Sequence, residues 1–76
     1  MKELVEYLVK SLADHPEEVL LEENEDDETI SLQLRISPDD LGKIIGKGGN
    51  TINAIRTVVQ AAASSHKKRA KLDVAS

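Results

Sequence analysis

The residues best suited to hold a ligand are Gly46, Lys47, Gly48 and Gly49, set between Ile44-Ile45 and Thr51-Ile52. Glycine removes side-chain bulk and admits positive φ. Helix-forming sequence lies on both sides of the run. The second helix therefore directs its unpaired amides and positive dipole end at the glycines. With the mobile cation of Lys47 this makes an anion site that a nucleic-acid backbone can approach closely. Two other glycine motifs fail on spacing. The phosphate loop of nucleotide hydrolases needs four residues between its first glycine and Gly-Lys, then Ser or Thr. Here Gly42 and Gly46 enclose three residues and Gly48 follows Lys47. The dinucleotide fingerprint follows a strand and carries a third glycine, whereas this run follows a helix. A plain helix-turn-helix corner with a glycine cap explains one glycine well and three poorly.

Little else in the chain suggests chemistry. There is no cysteine, so neither a disulfide nor a thiolate metal site is available. His15 and His66 are far apart, neither has a partner at metal-ligand spacing, and no serine sits in a nucleophile context. The expectation is a protein that is not an enzyme and needs no metal or cofactor. Glu23-Asn24-Glu25-Asp26-Asp27-Glu28 is nearly all acidic, but its spacing is not that of a calcium loop and no glycine makes the turn. It reads as a solvated hairpin tip. The net charge of −4 hides a split. Residues 1–40 carry 3 basic and 13 acidic side chains, and residues 41–76 carry 7 and 1, giving −10 and +6. Such a split fits a basic face kept soluble by an acidic remainder, or chance surface charge.

The elements that must position the glycines follow from periodicity. Leu4, Val5, Leu8, Val9 and Leu12 make one stripe of a helix over residues 2–14, ended by His15-Pro16. Tyr7, the only aromatic residue, lies off that stripe as a half-buried flank. Residues 18–22 predict a short strand. Ile30, Leu32, Leu34 and Ile36 alternate with polar residues, predicting a strand with one buried face. Ser37-Pro38-Asp39-Asp40 starts a helix: a cap, a proline at the first position, and two acids at the positive dipole end. After the glycines a helix resumes from Thr51 to about His66, with Ile52, Ile55, Val59, Ala62 and Ala63 inward. Ala70, Leu72 and Val74 alternate in a closing strand. Residues 1–76 thus form one α+β domain of order αββααβ, its core aliphatic and thin. No stretch suits a membrane span or a signal peptide, so a cytoplasmic protein is expected.

"IIGKGGNTINAIR" resembles the core signature of KH domains: an aliphatic pair, a G-x-x-G loop, then a helix opening on Thr-Ile and continuing to Ile-Arg. The element order resembles the type II topology, with the extra helix and strand ahead of the core. In length and layout the chain is similar to the small bacterial single-KH RNA-binding proteins of the KhpA family. The resemblance covers essentially the whole chain and implies a three-stranded mixed sheet packed on three helices.

It also implies a site. Gly46, Lys47, Gly48 and Gly49 would meet the backbone of single-stranded RNA, as the KH loop clamps four nucleotides. Ile45 and Ile52, which also suit the core, would floor a groove for bases. The last strand would form the other wall, with Lys67, Lys68 and Arg69 at its rim or simply in a solvated loop. Arg56 would reach phosphate or pair with an acid. Stacking on rings is unavailable in such a groove, so weak, salt-sensitive and poorly selective binding is expected, as in an RNA chaperone or post-transcriptional regulator. Thr51, Ala54, Val58, Ala61 and Ser65 share a second helix face. They either serve helix formation and the sheet edge or make a close dimer contact, and the related family self-associates and pairs with another KH protein. The alternative function is a KH fold used for protein contact alone.

Overall fold

The computed structural model describes residues 1–76. Helix α1 spans Lys2–Leu12 and is followed by a 3₁₀ turn at Pro16–Glu18. Strands β1, Leu20–Glu25, and β2, Thr29–Arg35, form an antiparallel hairpin. A 3₁₀ turn at Pro38–Asp40 leads into the short helix α2, Leu41–Ile45. The glycine run makes one further turn, and α3, Asn50–Ser65, leads to β3, Arg69–Ala75. The strand order is β1-β2-β3, with β3 parallel to β2, so the sheet is mixed and β2 is central. This is the expected αββααβ order.

One face of the sheet carries the core. Leu21, Ile30, Leu32, Leu34 and Leu72 are buried on it, packed against Val5 and Val9 of α1, Ile44 of α2, and Ile52, Ile55, Val59 and Ala63 of α3. The alternation in β2 is what commits it: a one-residue slip would turn this whole set outward.

Several local expectations need correcting. Helix α1 stops at Leu12, and its stripe is only half used: Leu4 and Leu12 are 40% and 44% exposed. Tyr7 is 71% exposed rather than a half-buried flank, because nothing packs over that side of α1. Strand β1 begins later and runs further than residues 18–22. Pro16 starts a 3₁₀ turn instead, and the acidic residues Glu22, Glu23 and Glu25 pair with β2 as far as Glu25 opposite Ile30. An edge strand tolerates these acids because their side chains remain in water. The hairpin tip is therefore Asp26-Asp27-Glu28, closed by Asp26 Oδ1, which accepts the amides of Glu28 at 2.8 Å and Thr29 at 2.7 Å. These two bonds, in that order, hold the Asp26 carboxyl below its ordinary pKa.

Ser37 is the expected cap, its Oγ accepting the Asp39 amide at 3.3 Å. Asp40 plays a different part from the dipole role its position suggested. Its side chain is fully buried and accepts the amides of Asp14 at 3.0 Å and His15 at 2.9 Å. It thus joins the exit of α1 to the entry of α2. Burial alone would raise its pKa. The two amide bonds, with His15 and Lys43 nearby, outweigh that and hold it low. Lys43 strengthens the same junction through Asp14 at 2.6 Å, a hydrogen bond that raises the lysine's pKa.

Candidate nucleic-acid interface

The loop is built by backbone conformation. Gly46, Gly48 and Gly49 all have positive φ, of 78°, 63° and 81°. Gly46 ends α2, its amide donating to Gly42 O at 2.8 Å, and it receives the Gly49 amide at 3.1 Å. A Cβ on Gly46 would overlap Thr51 Oγ1 and lie 2.7 Å from Thr51 Cβ, so no other residue fits there. A Cβ on Gly48 would meet nothing within 4 Å. The glycine with the least room is thus the one that seats the loop against α3, and the freest one is the outermost. Lys47 is exposed beside it. Gly49 is the N-cap of α3 and offers no side chain to its first-turn amides. That end of a sixteen-residue helix keeps its positive field open to an anion.

From the loop, α3 runs alongside the free edge of β3. Between them lies a cleft of about 360 Å³ lined by Arg56, Val59, Gln60, Ala70, Lys71, Leu72 and Asp73. Arg56 is in this cleft, and it pairs with no acid: its Nε donates to Leu72 O at 3.2 Å and its Nη1 to Asn53 Oδ1 at 3.4 Å. Ala70 lies on the wall expected of the last strand, but Gln60 does not stand out in the sequence as a site residue. Gln60 was findable, since it sits four residues after Arg56 on the same helix face.

The other expected residues are dispersed. Ile52 is 5% exposed and belongs to the core; Ile45 is partly buried against it. The basic run Lys67, Lys68 and Arg69 follows the far end of α3, a helix about 24 Å long at 1.5 Å per residue, so it does not gather around the loop. Lys68 is also committed: its ammonium pairs with Glu25 and donates to Asp26 O at 2.9 Å, fastening β3 to the hairpin tip. The same hydrogen bond and charge hold the Glu25 carboxyl below its usual pKa. Lys67 has φ of 60°, the only non-glycine residue on the positive side. It closes α3 with the amide of Lys67 on Ser64 O and that of Lys68 on Ala63 O, both at 2.9 Å. That pattern is a Schellman ending, where glycine is the usual occupant. Along the second face of α3, Ala54, Val58, Ala61 and Ser65 are exposed and Thr51 is partly so.

A strand, two helices joined by G-x-x-G and a parallel return strand, with a helix and an antiparallel strand placed ahead of them, define a KH domain of type II. Comparison with known proteins agrees with the geometry. Residues 2–74 match the model of the KhpA/KhpB KH domain, and the chain belongs to that family. Among its relatives, the RNA-binding protein KhpA of Halalkalibacterium halodurans is 46% identical over 74 residues, covering 97% of both chains. That of Clostridium perfringens is 50% identical over 74 residues, covering 97% of this chain and 99% of its own. That of Listeria monocytogenes is 40% identical over a stretch covering 97% of each. These relatives are named for binding, and the family is not an enzymatic one. No helix here is long and apolar enough to cross a membrane.

Proposed function

We propose that this chain holds short single-stranded RNA, with the phosphate backbone at Gly46–Gly49 and the bases in the cleft between α3 and β3. One observation carries the reading above the others. Three positive-φ glycines and an exposed lysine stand at the uncapped start of a helix whose next turns line a cleft. Backbone can come close there, and charge of the right sign meets it. The names of the relatives support RNA as the ligand. Within the site, Lys47 supplies the cation and Arg56 the next donor along α3, while Ile45 and Ile52 act from beneath as packing. Lys67 and Arg69 lie outside the cleft, past the far end of α3, and Lys68 serves the fold.

The cleft has no aromatic side chain, and stacking, which contributes about 1–3 kcal/mol per base elsewhere, is missing. Binding rests on phosphate contacts and is salt-sensitive and weakly selective. This suits a cytoplasmic RNA chaperone or post-transcriptional regulator. Weak sites gain from being doubled. The exposed face of Thr51, Ala54, Val58, Ala61 and Ser65, with Val58 43% exposed at its centre, supports pairing with a second copy or another KH protein. If that face alone mattered, the fold would be a protein-contact module. Amide spectra recorded during an RNA titration separate the two readings. Shifts at Gly46–Gly49 and along Arg56 and Leu72 are expected, and shifts confined to the α3 face would overturn RNA holding at the loop. Sedimentation at high concentration tests the pairing: a species of 8.3 kDa alone rules out the homodimer.

A further inference from the structure

The cleft has a built end. Strand β3 is an edge strand, and such an edge presents a row of unpaired peptide groups. Its odd-numbered residues turn theirs to β2: the Arg69 amide reaches Glu28 O at 2.9 Å, and Ala75 O receives the Ile36 amide at 3.1 Å. Ala70, Leu72 and Val74 alternate with them and turn theirs to the open side, where α3 lies. Two α3 side chains cross to meet these groups. Arg56 donates to Leu72 O, as above. Gln60 Oε1 accepts the Ala70 amide at 3.2 Å, while its Nε2 donates to Ser64 Oγ at 3.2 Å. The carboxamide is thereby anchored at both ends and spans from helix to strand.

The two crossings differ in kind. Arg56 occupies an acceptor on β3 but brings a positive charge, which a phosphate or base carbonyl can share. Gln60 occupies the first open-edge donor of β3 and brings no charge. Beyond it along the strand, the ammonium of Lys68 is taken by Glu25 and Asp26. A strand of nucleotides entering from the glycine loop therefore finds no free partner within the cleft past Gln60.

We propose that Gln60 is the stop of the track, a positioning residue that sets how many nucleotides the cleft accepts. The proposal rests on RNA lying in this cleft. From Gly49 to Gln60 the helix covers about 16 Å at 1.5 Å per residue. That length suits the four nucleotides a KH loop clamps. With the carboxamide in place, a further base meets a crossing already made. With it gone, the Ala70 amide becomes a free donor, and the cleft opens toward the far end of α3.

The test compares Gln60→Ala and Gln60→Glu with the unaltered chain, using labelled oligouridylates of roughly two to ten nucleotides, a range that brackets the clamp. Gln60 is exposed on a helix, and alanine is the better helix former, so Gln60→Ala folds. The unaltered chain is expected to gain affinity up to about four nucleotides and then level. Gln60→Ala is expected to go on gaining severalfold over the next few nucleotides. Gln60→Glu keeps the acceptor for Ala70, so it levels at the original length with lower affinity throughout. Hydrogen exchange gives a second readout: RNA slows exchange of the Ala70 amide in Gln60→Ala only. A Gln60→Ala plateau at the same length as the unaltered chain overturns the stop and leaves RNA holding at the loop intact. Absence of binding by the unaltered chain overturns both.

Discussion

The sharpest perturbation of the loop is the double replacement Lys47→Asp, Gly48→Asp, which leaves Gly46 and Gly49 in place. The structure says why the fold survives it. Gly48 sits at φ 63° and ψ 19°, at the edge of the left-handed helical region that aspartate tolerates better than most residues. Its Cβ would meet no atom within 4 Å. The strain amounts to about 1 kcal/mol, a fall of roughly 4–8 °C in Tm for a domain of this size. RNA binding changes far more. One attraction between a lysine and a phosphate disappears and two repulsions replace it. In a water-exposed site each is worth about 1 kcal/mol at close range, together about 3 kcal/mol. Affinity then drops by roughly a hundredfold, and the salt slope flattens by about 0.7, because one phosphate fewer is neutralised on a single strand. Fluorescence anisotropy with a labelled oligonucleotide at two ionic strengths reads both quantities, and a thermal melt checks the fold. Unchanged affinity in a variant that still melts cooperatively would refute the placement of RNA at this loop.

Other perturbations probe the remaining parts. Gly46→Ala collides with Thr51 in a backbone region open only to glycine and is expected to lose about 3 kcal/mol, whereas Gly48→Ala loses about 1, as read from urea unfolding. Lys67→Gly relieves the positive φ at the end of α3 and should raise stability by about 1 kcal/mol in the same assay. Lys68→Ala should leave RNA affinity and its salt slope nearly unchanged while Lys47→Ala lowers both, because Lys68 is already paired with Glu25; titrations at two salt concentrations compare them. Asp40→Asn should lower Tm by several degrees at neutral pH. The Asp40 pKa is depressed by folding, so the carboxylate's contribution is present above the ordinary Asp pKa and vanishes as pH falls through the folded value. The gap between the two proteins therefore narrows in acid, which melting curves across pH will show.

What the sequence disclosed was whatever is encoded locally. The alternation of Ile30, Leu32, Leu34 and Ile36 identifies β2 because one face of that strand is buried. The glycines at 46, 48 and 49 disclose the loop because only a demand for positive φ gathers so many of them. What stayed hidden depends on contacts between distant segments. Asp40 reads as a helix-start residue, and only the fold brings the amides of Asp14 and His15 to it. Lys68 reads as a cation available to RNA until the hairpin tip closes on it. Glu23 and Glu25 argue against a strand by propensity, yet edge pairing with β2 overrides that preference. Ile52 and Arg56 both read as site residues, but one faces the core and the other the cleft, a distinction of helical phase that needs the packed sheet to settle.

The parallel pairing of β2 with β3 has a consequence in time. Antiparallel β1 and β2 meet through a tight turn and need little loop closure. The β2–β3 pairing waits until everything from Ile36 to Lys68, both helices and the glycine loop included, has folded back. One wall of the cleft is thus the product of the longer-range of the two strand pairings, and no early, half-formed species can present a complete cleft. The loop alone arises sooner, at the junction of two neighbouring helices. A chain that has not finished folding can touch a phosphate but has nowhere to lay a base.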